Sequence, residues 1–162
     1  MSRQHAFSLI ELIVTLAIVA ILLLVTSNFV PLMDESRATQ VSDSLRAHIA
    51  QTRSESIARG GSVRLCGSDN GTNCSASLNE GWIIYYDNNA DGNLNAGDDI
   101  LSRFEQGSTR MTIAATSATG TSVSDFGFNS RGYPTEPLTL AINSGASSNT
   151  VQLLANGRLE LQ

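Results

Sequence analysis

The stretch AFSLIELIV, residues 6–14, places one carboxylate, Glu11, inside a run that is otherwise apolar or small. Read outward, the run covers residues 7–30, 24 positions in which Glu11 is the only charge. As a helix it would measure about 36 Å at roughly 1.5 Å per residue, enough to cross a bilayer core of about 30 Å. Arg3 precedes it and Asp34 and Glu35 follow it, so the positive-inside tendency puts the N-terminus in the cytoplasm and the rest of the chain outside. A cleavable secretory signal ending near Val25-Thr26-Ser27 is the alternative. The run is long for such a signal, and a carboxylate within it costs a few kcal/mol near the bilayer centre. Glu11 therefore calls for a partner, or it snorkels to the cytoplasmic interface in a monomeric anchor.

The whole chain has 162 residues, enough for one domain with a sizeable core beside the N-terminal element. All ten basic residues are Arg, and fifteen acids give a net charge of −5, which argues against a general nucleic-acid footprint. Beyond Pro31, Ala38, Val41, Leu45, Ile49, Thr52 and Ser56 recur every three or four residues, with charged residues largely between them. One helix is expected to run from Phe7 to about Arg59, bent at Pro31 and stopped by Gly60-Gly61. Short strands follow over 63–65, 82–86, 100–104, 111–115, 123–128, 138–142, 151–155 and 158–161, with 143–149 reading as a turn-rich connection. The expected fold class is α+β: a long N-terminal helix, transmembrane in its first half, whose amphipathic second half packs on an antiparallel β-sheet head. The organisation is a leader over 1–6, a membrane helix over 7–30 and a head over 31–162.

Three stretches carry possible chemistry. Cys66 and Cys74 flank a loop of turn-forming residues that a disulfide closes easily, as suits an extracytoplasmic domain. A metal reading lacks a second ligand pair or a nearby His, and a catalytic thiol lacks a base. The stretch DNNADGNLNAGDD, 87–99, resembles calcium loops in the alternation of Asp87, Asn89 and Asp91, the following Gly92 and an acid, Asp98, at position twelve. Calcium would take those oxygens together with the Asn93 carbonyl. Against it, position twelve is Asp rather than Glu and the flanks read as strands, so a polar hairpin loop is the alternative. FGFNSRGYP, 126–134, reads as strand and turn first and as a binding patch second. The two histidines are His5 in the leader and His48 on the helix, which provide no framework for a nucleophilic triad, and no catalytic residues are expected.

A short polar leader, a small residue and then Phe7-Ser8-Leu9-Ile10-Glu11-Leu12 opening a hydrophobic helix resembles the class III signal of type IV pilins and pseudopilins. The resemblance implies that a prepilin peptidase cuts between Ala6 and Phe7 and N-methylates the new terminus; the family usually carries Gly where this chain has Ala6. Glu11 then lies about one helical turn from a cationic α-amino group, and stacked helices can pair each amine with a neighbour's carboxylate, fixing register during assembly. Farther on, 53–60, Leu65-Cys66-Gly67, Gly81-Trp82, 87–92, 128–132 and Asn156-Gly157-Arg158 resemble the GspH/FimT (FimU-like) group of minor pilins and minor pseudopilins. That group implies a low-copy subunit that helps initiate a type IV pilus and sits at or near its tip, or the equivalent in a type II secretion pseudopilus. Its partners would be other major and minor pilins through the N-terminal helix, the peptidase and, before assembly, the bacterial inner membrane with the head periplasmic. A DNA-binding minor pilin of natural transformation is a third reading, but its Gly-Arg-x-Arg motif here becomes Gly157-Arg158-Leu159-Glu160, with an acid in place of the second Arg.

Overall fold

The computed structural model describes residues 8–27, 29–75, 77–106, 111–145 and 147–161, with backbone only over the described part of 24–34. Two helices, α1 (Leu9–Ser27) and α2 (Phe29–Arg59), precede nine strands. Phe7 and Asn28 lie outside the described residues, and no helix among those described is long and apolar enough to cross a membrane. α1 covers 19 residues of the apolar run, or about 28 Å. Pro31 does not interrupt α2. The described residues on both sides of it are helical. At the other end Gly60 takes φ +66° and the Gly61 N–H donates to the Ser56 carbonyl at 3.2 Å, a Schellman closure that only a residue tolerant of positive φ makes cheaply.

The expected amphipathic face is the one buried: Ala38, Ser42, Leu45, Ile49, Thr52 and Ser56 are inaccessible and Val41 packs beside them. Thr52 satisfies its hydroxyl by donating to the His48 carbonyl at 2.7 Å and Ser56 its own by donating to the Arg53 carbonyl at 2.7 Å, while the buried Ser42 hydroxyl has no partner among the described residues.

The strands β1 (Ser62–Gly67), β2 (Gly81–Asp87), β3 (Asp99–Glu105) and β6 (Asp125–Phe128) form an antiparallel sheet in the order β3-β2-β1-β6. The second sheet has the order β5-β4-β7-β8-β9, from β4 (Met111–Ser117), β5 (Ser122–Val123), β7 (Leu138–Ser144), β8 (Ser147–Leu153) and β9 (Leu159–Leu161). Two expectations are corrected. The single strand read over 123–128 is two, β5 and β6, in different sheets, with Ser124 carrying the chain across. The connection read over 143–149 is mostly strand, because β7 and β8 pair in register out to Ser144 and Ser147 and leave a tight turn at Gly145, φ +59°. Asn and Ser there occupy a sheet end, where ladder pairing overrides their turn preference.

Inner side chains of both sheets meet α2 in one cluster that includes Leu45, Ile49, Val63, Leu65, Trp82, Ile84, Phe126, Phe128, Leu140, Ile142, Val151 and Leu153. The outer face of the first sheet buries a smaller cluster, Cys66, Ile83 and Tyr85, against Ile100 and Leu94. Leu94 belongs to the acidic loop, which thereby caps that face.

Candidate functional site

α1 exposes all its described side chains, the large apolar ones from Val14 at 48% to Leu9 at 75% of their surface. Thr15, a polar residue among them, donates its hydroxyl to the Leu12 carbonyl at 2.9 Å, so it adds no unpaired donor to the apolar surface. Glu11 stands in the first turn, where the helix dipole favours an anion. No cation among the described residues pairs with it. Ala6 and Phe7, the residues of the expected cleavage site, lie outside the described residues.

Cys66 and Cys74 are bonded, with Cα atoms 5.6 Å apart. The loop they close is tight. The Ser75 N–H donates to the Gly67 carbonyl at 2.6 Å, and a Cβ on Gly67 would collide with the Ser77 backbone carbonyl, which explains the glycine after Cys66. The Asp125 carboxylate lies within 4.8 Å of both sulfurs, but each sulfur is spent on the other.

In the acidic loop, the Asp87 carboxylate is buried and accepts the N–H groups of Asp91 at 3.2 Å and Gly92 at 2.9 Å. Asp98 accepts the N–H groups of Asn88 and Asn95, both at 2.9 Å. Asp91 accepts from the Asn93 N–H at 2.8 Å and the Asn89 amide at 2.8 Å, which hold its carboxyl below the usual carboxylate range. Asn93 also turns its amide onto the Asp91 carbonyl at 3.1 Å. The oxygens proposed for calcium are thus all engaged by donors of the loop itself.

Beside this loop lies an arrangement the sequence reading missed. The Arg64 Nε–H donates to Asp125 at 2.7 Å and the Tyr85 hydroxyl donates to the same carboxylate at 3.0 Å, tying β1, β2 and β6 together on the outer face. Burial, followed by the Asp125 charge, pushes the Tyr85 phenol well above its usual range. Gly127, opposite Arg64 in the β1–β6 register, makes the room: a Cβ there would meet the Arg64 side chain and the Val63 carbonyl, each at 2.7 Å.

At the opposite corner three motifs read separately in the sequence come together. Arg53 donates to the Gly157 carbonyl at 2.9 Å and to the Asn156 carbonyl at 3.2 Å, fastening α2 to the β8–β9 turn. Gly157 (φ +76°) and Gly132 (φ +75°) lie against each other and against Arg53, and a Cβ on Gly157 would stand 2.7 Å from the Gly132 carbonyl. His48 lies farther along α2 with its ring 5.7 Å from Trp82 and 5.4 Å from Phe104, which are themselves stacked at 4.2 Å. Burial holds its imidazole below the ordinary 6.5.

A spine helix with an exposed apolar half and a half packed on antiparallel sheets defines the type IV pilin-like class of fold. Residues 41–157 match the family model described as type II transport protein GspH, and 1–27 match the prokaryotic N-terminal methylation motif. The chain belongs to the GspH family and is of the minor pilin or pseudopilin kind. The minor pilin FimU of Pseudomonas aeruginosa is similar in structure at 16% identity, over 82% of this chain and 92% of that one, with a TM-score of 0.59. The minor pseudopilin EpsH of Vibrio cholerae is similar at 13% identity, over 79% and 97%, with a TM-score of 0.58. No curated protein sequence matches the chain. The family and these structures are pilins and pseudopilins rather than enzymes, and membership implies association with other pilins in a pilus or pseudopilus.

Proposed function

We propose that the protein is a minor pilin that helps initiate a type IV pilus and sits at or near its tip. In this reading the peptidase cuts between Ala6 and Phe7. Residues 7–30 then hold the chain in the inner membrane by a single pass, with the head periplasmic until assembly. The observation that carries it is the exposure of α1: apolar surface of that extent needs lipid or neighbouring helices around it. Within such a bundle Glu11 is stabilised by the α-amino group of an adjacent subunit, so the charge acts as a register key rather than as an anchor. The matched family's description and the likeness to EpsH support a second reading, a minor pseudopilin of a type II secretion system.

The test is Glu11→Ala in the native host. Membrane insertion is expected to be retained, as judged by fractionation, while the protein disappears from sheared pili; a normal amount in the fibres rejects the pairing role. Recovery from the secretion pseudopilus in place of pili selects the second reading.

A further inference from the structure

Outside α1, the large apolar side chains exposed among the described residues are Ile57 (52%), Tyr133 (51%) and Leu161 (52%). They come from α2, from the turn after β6 and from β9, and Ile57 lines a groove between α2 and the start of β9. A Cβ on Gly132, the residue before Tyr133, would touch Ile57. Leu159 and Leu161 pair with Leu153 and Val151 across the β8–β9 ladder and share their core-facing side, beyond the edge that α2 covers. Between these elements runs a groove of about 380 Å³ walled by Ile49, Ala50, Arg53 and Ile57 on α2 and by Arg158 and Leu159 opposite. Exposed apolar surface gathered at one corner of a head, and rimmed by polar groups, marks a place of contact.

Two features describe the occupant. Among the described residues β9 is the outermost strand of its sheet and pairs with β8, so no described strand occupies its other edge, where a strand can add. The charged residues lining the groove are both arginines. Arg53 has no carboxylate partner among the described residues, since its terminal nitrogens point to main-chain carbonyls. Arg158 meets Glu160 at 3.0 Å, but the two side chains are 71% and 40% exposed, and so open a pair is worth little and exchanges readily. In a chain of net charge −5, a cationic rim on an apolar groove beside a free strand edge complements a segment that is itself acidic and apolar.

We propose that the groove between α2 and β9 docks an extended segment of another fibre subunit, in which apolar and acidic side chains alternate. Its backbone adds to β9, an aliphatic side chain seats between Ala50 and Leu159, and a carboxylate meets Arg158. That the donor is a fibre subunit rests on the assembly reading above; the chemistry of the groove does not.

The probe is a labelled synthetic peptide of alternating leucine and aspartate, titrated by fluorescence anisotropy against the full chain in detergent micelles. A leucine and lysine peptide and a single-stranded oligonucleotide serve as the other arms. Saturable binding of the acidic peptide is expected, weakened at least tenfold by Arg158→Glu and also by Ala50→Trp, which fills the groove without changing charge. Thermal unfolding of each variant establishes that the head is folded. The proposal is overturned by no binding, by equal binding to both variants, or by preference for the basic peptide or the oligonucleotide. Glu11→Ala is expected to leave peptide binding intact, so a failure of the groove and a failure of the pairing role give different results.

Discussion

His48 shows how one side chain sets a pH response. Its imidazole is neutral against the Trp82–Phe104 stack and its folded pKa lies below 6.5, so the unfolded chain takes up a proton first as pH falls. Stability from this group is complete above the unfolded value and is lost as pH drops toward and through the folded one. Thermal melts of the head are therefore expected to show Tm declining below about pH 6.5, with a shallower decline in His48→Gln. The cysteines act on the other side of the equilibrium: a loop with a sequence separation of 8 restricts the unfolded chain, and the Cys66→Ser/Cys74→Ser pair is expected to cost about 2.5 kcal/mol in urea unfolding. Gly157→Ala forces a side chain into positive φ and against the Gly132 carbonyl. A loss of about 1–3 kcal/mol is expected, with Arg53 displaced from the turn.

At the level of elements, α2 was the most legible, because one buried face at helical spacing survives any choice of partner. The strand centres were legible too, where β-branched and aromatic residues cluster. What stayed hidden was set by distant pairing. Val123 and Phe126 read as one strand because nothing local records that they bond to different sheets, and Asn143 and Asn149 read as loop because their partners are each other's neighbours across a ladder. The Arg64–Asp125 pair joins residues 61 positions apart, and only Gly127, a glycine inside a strand, hinted at a close approach. The Cys66–Cys74 disulfide was legible from its short, turn-rich loop, whereas the meeting of the 53–60 and 156–158 motifs is visible only in space. For the acidic loop, Asp87→Ala is expected to destabilise the head by about 1–3 kcal/mol with or without calcium, because its carboxylate serves two backbone donors. The calcium reading adds a distinct expectation: a Tm that rises with calcium and ceases to do so in Asp91→Ala. A melt indifferent to calcium assigns the loop to its internal turns.

For the molecule as a whole, the division of labour lies along the spine: α1 offers apolar surface outward, α2 spends its own on the head, and an apolar groove opens beside β9. The crossing at Ser124 has a consequence for biogenesis. β1 lies between β2 and β6, and the Val63–Phe128 pairing has to wait until β6 has emerged, after β4 and β5 of the other sheet. The first sheet therefore stays open at β1 while β4 and β5 of the second are made, and closing so distant a pairing is slow. Until then the exposed edge of β1 and the newly made strands of the other sheet stand side by side unpaired, a period in which they need shelter from one another.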